Sequence, residues 1–235
     1  MNKYLTILTV LILFTACSSN EDKMTLTGNV KGLKKGTLLL QKIQDSLLVS
    51  VDSVLVNGNS LFSFKETILE PEIYYLNVRL ENGILKDDRI SFFAESNPIN
   101  ISTTLTNFAI DAKVTGSNNQ EKYKTYKKII DRYSDRNLEL IEQIFKAKKK
   151  GNDSLVIKLN SNQNSILAKK YLATISFALS NKAFEISPYL MVSHVNDTKL
   201  VYLDSVYNNL TPKIKDSKYG KDLESLIVSR KKLEN

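Results

Sequence analysis

Val114-Thr115-Gly116-Ser117-Asn118-Asn119-Gln120 is the stretch in which the hydrophobic period of this chain changes from two to about 3.6. Upstream of it the sequence reads as strands. Thr25 to Val30 alternates, Thr37 to Ile43 is a short apolar run ending at Gln44-Asp45-Ser46, and Val49 to Val56 is rich in β-branched residues before the Asn57-Gly58 turn. Leu61 to Phe64 places Phe62 and Phe64 on one face, and further strands are expected at Ile73 to Leu80, Ile90 to Ala94, Ile99 to Leu105 and Phe108 to Val114. Many short strands at this spacing predict an antiparallel sandwich or barrel over residues 24–116.

Downstream, Ser117 can cap a helix. Tyr123, Tyr126, Ile130, Tyr133, Leu140 and Ile144 form one apolar stripe, which predicts an amphipathic helix from about Asn118 to Lys149. Gly151-Asn152 ends it, and Asp153 or Ser154 starts a second helix carrying Leu155, Leu159, Ile166, Leu167, Tyr171, Ile175 and Leu179. Ser187-Pro188 opens a short third helix, since proline is tolerated at the first helical position. Segments from Asp197 or Thr198 to about Tyr207, and from Asp216 to about Lys231, complete a helical domain over residues 117–235. The expected class is therefore α+β, two domains in series, with a protease-accessible boundary near Gly116 to Gln120 and a second near Lys150 to Asp153.

The other end of the chain carries a targeting signal. Asn2-Lys3 precedes an apolar run, Tyr4 to Ala16, that closes on Cys17, the single cysteine. The run is too short to span a bilayer, and Thr15-Ala16 supplies the small residues a signal peptidase needs before an acylated cysteine. Residues 1–16 are thus expected to be a lipoprotein signal peptide, Cys17 the lipidation site, and residues 17–23 a flexible tether. This implies a lipid-anchored protein of the cell envelope, at the outer membrane of a Gram-negative bacterium. The acidic pair Glu21-Asp22 resembles surface-export signals of some lipoproteins, although either face of the membrane is compatible with it.

With one cysteine, the exported part can form neither an internal disulfide nor a thiolate metal site. The formal charge is +8 and the signal carries only Lys3 of it. An exported basic protein meets anionic lipid and polysaccharide head groups, and no nucleic acid is expected as a partner. The lysines, at Lys127-Lys128, Lys146 to Lys150, Lys169-Lys170 and Lys231-Lys232, read as a solvated surface.

No catalytic set emerges. His194 is the only histidine, so a histidine zinc site lacks ligands, and neither His-Glu-x-x-His nor Gly-x-Ser-x-Gly occurs. His194 is expected to end a short helix, where its charge would favour the terminal carbonyls. Asp87-Asp88 and Asp52 read as solvated turn and strand residues, and no phosphate-binding glycine motif is present. No cofactor or metal is expected. The tyrosines of the helical half could line a ligand groove or a partner surface, and helix packing accounts for them equally.

Several motifs together resemble a known family. Leu26-Thr27-Gly28-Asn29-Val30, Asp52-Ser53-Val54, Asn57-Gly58, Phe62-Ser63-Phe64, Pro71 with Tyr74-Tyr75-Leu76, and Val114-Thr115-Gly116-Ser117-Asn118 are similar to the uncharacterised β-domain found ahead of thioredoxin-like and peroxiredoxin-like domains in bacterial envelope lipoproteins. The likeness covers about Met24 to Asn118. Two positions depart from it: the turn from Gly58 to Phe62 is longer than the family's, and Glu66 stands where a glycine commonly follows Phe-x-Phe. The thioredoxin-like domain with its Cys-x-x-Cys does not follow, so the family's disulfide-reductase activity is not carried over. Because no catalytic set is present, the chain is expected to be a non-enzymatic binding or scaffold protein; the alternative, which the resemblance implies, is an accessory component of envelope thiol-disulfide metabolism working with a separate thioredoxin-like protein.

Overall fold

The computed structural model describes residues 22–234. The strands are β1 (Lys23–Lys31), β2 (Lys35–Gln44), β3 (Leu47–Asn57), β4 (Leu61–Thr67), β5 (Glu72–Leu80), β6 (Ile90–Ala94), β7 (Pro98–Thr104) and β8 (Lys113–Thr115). They form two four-stranded sheets, β4-β1-β7-β8 and β3-β2-β5-β6. Period-two alternation delivers one face of each sheet to a shared interior: Met24, Leu26 and Val30 from β1, Phe62 and Phe64 from β4, and Tyr74, Leu76 and Val78 from β5. The fold is α+β, as the change of period predicts, with helices following the strands.

Three local features sharpen that reading. First, β1 pairs with β7 in parallel, while the other strand pairs in the two sheets are antiparallel. Alternation records which face of a strand is buried and carries no information on strand direction. Second, the expected strand from Phe108 to Val114 is mostly a turn, with strand geometry confined to β8. Phe108 is nevertheless buried, and its carbonyl accepts the Thr103 hydroxyl at 2.6 Å, so its apolar signal reports core contact rather than extended backbone. Third, Asp45 and Ser46 both adopt positive φ in the two-residue turn joining β2 and β3, the geometry that lets a tight hairpin follow the twist of its strands. Lys23, placed in the tether by its polarity, already pairs with Thr67.

Gly28 shows why one motif position admits no side chain. A Cβ there would lie 2.1 Å from the Ile101 carbonyl oxygen and 2.5 Å from the Phe62 ring, which covers the glycine from the neighbouring strand.

The helices are α1 (Asn118–Lys149), α2 (Asp153–Ser180), α3 (Ile186–His194), α4 (Leu200–Asn209), α5 (Pro212–Lys215) and α6 (Lys218–Glu234). Ser117 caps α1 as expected, accepting the Gln120 N–H at 3.0 Å. Asn152, one residue ahead of the expected start, caps α2 through the Leu155 N–H. One helical core joins Ile175 and Ala178 of α2 to Met191, Leu203, Val206, Leu223 and Ile227. A second lies against the outer face of the β3-β2-β5-β6 sheet, where Ile73 and Phe93 meet Tyr126, Ile130, Ile186, Leu190 and Tyr219. The start of β5 and the middle of β6 are therefore covered on both faces, which explains the apolar run Ile73-Tyr74-Tyr75-Leu76 that opens β5.

Candidate functional site

The chain passes from sheet to helix through a buried polar junction. Glu95, at the end of β6, is 5 % exposed and lies at the N-terminus of α1. Its carboxylate accepts from the Ser117 hydroxyl at 2.8 Å, the Asn118 N–H at 3.1 Å, the Asn119 N–H at 2.8 Å and the Asn119 side-chain amide at 2.9 Å. An anion here satisfies the free N–H groups of the first helical turn and sits at the positive end of the dipole of a 32-residue helix. Asn119 continues the network: its amide also donates to Glu185 at 2.8 Å, and its carbonyl accepts the Ile186 N–H at 2.9 Å where α3 begins. Gln120 adds a third link by accepting the Phe93 N–H at 3.0 Å.

Beside the junction lies an open cleft of about 290 Å³, bordered by Glu70, Glu95, Asn97, Glu185, Lys213 and Asp216. Its acidic character has a local cause. Glu70 accepts the Lys218 N–H at 2.7 Å at the start of α6, as Glu95 does for α1, so both carboxylates stabilise helix ends. Among the described residues no group of three or more histidine, cysteine or carboxylate side chains could hold a metal ion. Asp88 is engaged as well: burial opposes its ionisation, but the Ala109 N–H and Lys86 outweigh that and hold its carboxyl below the usual range. Asp52 accepts the neighbouring Ser53 N–H.

The tyrosines fall mainly into an aromatic seam between sheet and helices. Phe93 meets Tyr123 and Tyr189 edge-on at 6.1 and 5.3 Å, and Tyr189 contacts Tyr219 at 5.1 Å. Their hydroxyls are engaged. Tyr219 Oη accepts the Ile73 N–H at 2.9 Å, and Tyr126 shares a hydrogen bond with Thr174 at 3.1 Å. Burial pushes Tyr126 up to about 12, and raises Tyr189 and Tyr219 further, so these phenols stay protonated at any physiological pH. The packing reading of these residues is the one that applies.

His194 ends α3 as expected, but not as a charged cap. Its ring lies among Tyr123, Tyr126 and Tyr189 at 6.3, 5.4 and 5.8 Å. Burial first, and the charge of Lys170 second, lower its pKa below the ordinary histidine value. It is neutral near pH 7, and among the described residues it joins no nucleophile or carboxylate.

The α1–α2 hairpin leaves a different kind of surface. Near its loop the two helices enclose only a small cluster, Leu140, Ile144, Ala147 and Leu159. Leu138, Ile141 and Phe145 on α1 and Ile157 and Leu167 on α2 remain exposed. Nearer the sheet, the pair borders a shallow groove of about 600 Å³ in which Lys122 sits 3.9 Å over the Phe184 ring. No described helix is long and apolar enough to cross a membrane.

Cys17, the one site residue expected from sequence, lies outside the described residues, as does the apolar run before it. Glu95, Asn119 and Glu185 were not expected as a unit. Only the Ser117 cap signals their neighbourhood in sequence, because Asn119 and Glu185 stand 66 residues apart.

The fold and these surfaces define an α+β protein in which a two-sheet β unit is locked to a helical unit by a capped junction. Residues 24–123 match the model of a family described as a domain of unknown function, DUF4369. The match spans both sheets and continues past Gly116 through Ser117, Asn119 and Gln120 to Tyr123, so it takes in the first turn of α1 and its cap. No curated protein matches the chain.

Proposed function

We propose that this chain is a lipid-anchored binding or scaffold protein of the cell envelope, held at the outer membrane through Cys17 and without catalytic residues of its own. The observation that carries this reading is where the chemically capable side chains lie. Glu95 and Glu70 serve helix N-termini, the buried tyrosines are held protonated, and His194 packs among rings. The large features left facing outward are apolar and basic helix surfaces, which suit binding. The match to a domain of unknown function is compatible with this and assigns no reaction.

Detergent phase partitioning of the full chain tests the anchor, with the mass of the mature N-terminus as the second measurement. The wild type is expected in the detergent phase beginning at an acylated Cys17, and Cys17→Ala in the aqueous phase. Mild cross-linking in intact membranes then identifies the partner. Repeated recovery of a thioredoxin-like protein would move the assignment to the accessory thiol-disulfide role. An unmodified mature N-terminus would remove the anchor from it.

A further inference from the structure

We propose that the loop end of the α1–α2 hairpin is a contact surface for an anionic lipid bilayer. This deepens the binding reading by naming what the hairpin binds, and it does not depend on Cys17. The first observation is apolar exposure without a partner. Phe145 is 69 % and Ile157 is 71 % exposed. At about 100° per residue, Leu138, Ile141 and Phe145 fall on one flank of α1, well away from the Leu140, Ile144 and Ala147 side that faces α2. The hydrogen bonds Gln163 to Asn137 and Lys170 to Ser134 fix the antiparallel register and bring Ile157 level with the turn of α1 that carries Phe145.

The second observation is charge. Lys146, Lys148, Lys149, Lys150 and Lys158 surround these residues, with Asp153 the one acidic side chain between Phe145 and Lys158. Lys146 pairs with Glu142, whereas Lys148, Lys149, Lys150 and Lys158 have no acidic partner among the described residues. Both observations decide the occupant. A second copy would bring two cationic ends together and is disfavoured by repulsion. A polysaccharide would engage the lysines and leave Phe145 and Ile157 in water. A bilayer with anionic head groups offers both a negative surface and an apolar phase a few ångströms below it, the environment that basic amphipathic helices take up.

The test uses the chain from Asp22 onward, which holds every strand and helix among the described residues and lacks Cys17. Its binding is measured by co-sedimentation with vesicles of phosphatidylcholine containing about a third phosphatidylglycerol, and with phosphatidylcholine alone. Binding to the anionic vesicles is expected, falling with salt. Replacing Lys148, Lys149 and Lys150 by Gln should weaken it by on the order of a hundredfold, since each lysine near an anionic surface is worth about fivefold. The double variant Phe145→Ser and Ile157→Ser should weaken it about tenfold. All these side chains are exposed, so unchanged thermal unfolding checks that the fold is intact. Absence of anionic binding, equal binding to neutral vesicles, insensitivity to the double serine change, or a concentration-dependent dimer through this face would each overturn the proposal. None of these outcomes bears on the Cys17 partitioning result.

Discussion

Asn119 is the residue on which the coupling of sheet and helices can be measured. It is 2 % exposed, and its side chain makes three hydrogen bonds, to Glu95, to Glu185 and from the Ile186 N–H. Asn119→Ala removes all three. Glu95 keeps the Ser117 hydroxyl and two backbone donors, and the neighbouring cleft gives water some access, so its loss is partial. Glu185 borders the same cleft and is likewise left partly open to water, whereas the Ile186 N–H loses its partner outright. At about 1–3 kcal/mol for each buried group left unsatisfied, the expected cost is roughly 3–4 kcal/mol. For a chain of this size that corresponds to a fall of about 10 °C in Tm. Urea unfolding followed by far-ultraviolet circular dichroism measures it, with an unchanged dependence on denaturant expected. Asn119→Asp separates charge from shape. It sets a third carboxylate against two others, so it should be worse than Ala near pH 7 and recover relative to Ala as the pH falls towards about 4. A loss under about 1 kcal/mol for Ala, or no pH-dependent difference between the two variants, would refute the idea that this network joins the two units.

Gly28→Ala should cost about 2–3 kcal/mol, because the new Cβ meets a backbone oxygen at 2.1 Å and the Phe62 ring cannot withdraw without disturbing the core; a neutral result in thermal unfolding would show that the strands can part there. The His194 ring should titrate by NMR with a midpoint below 6.5, since burial and Lys170 both favour the neutral form. With the folded pKa depressed, the unfolded chain takes up the proton first as pH falls, so the contribution of His194 is fully present above about 6.5 and lost towards the folded pKa; His194→Gln should lack that slope. Proteinase K, which cuts with little side-chain specificity, should open the hairpin loop near Lys148 to Gly151 and spare the Gly116 to Gln120 junction, where Ser117, Asn119 and Gln120 are buried, and prompt cleavage at the junction would contradict the structure.

What was legible in the sequence follows from what local patterning can carry. The bounds of α1 are those expected from Ser117 and Gly151, because caps and breakers act within a turn or two of the helix end. Phe62 and Phe64 face the core together for the same local reason. The junction was hidden because its members come from β6, α1 and α3, and neither Glu95 nor Glu185 differs in sequence from a surface glutamate. The expectation of a cleavable boundary at Gly116 meets a buried junction for the same reason: a change of period marks where the secondary structure changes and says nothing about whether Ser117, Asn119 and Gln120 are buried there. His194 was placed correctly at a helix end, but the rings that keep it neutral arrive mostly from α1.

The two units are also chemically incomplete without each other. β6 is an edge strand of its sheet, and an uncovered edge leaves backbone donors and acceptors unpaired. Gln120 takes the Phe93 N–H at that edge, and Tyr219 takes the Ile73 N–H on β5. The first of these caps lies inside the family match and the second far outside it, on α6. A β unit ending at Gly116 would lose both, together with the donors that neutralise Glu95. A unit ending at Tyr123 would keep the edge partner and the helix cap that Glu95 needs, though in a first turn too short to be stable alone. The match crosses the period change, and in this chain the junction it includes is buried because the sheet is finished by the helix that follows it.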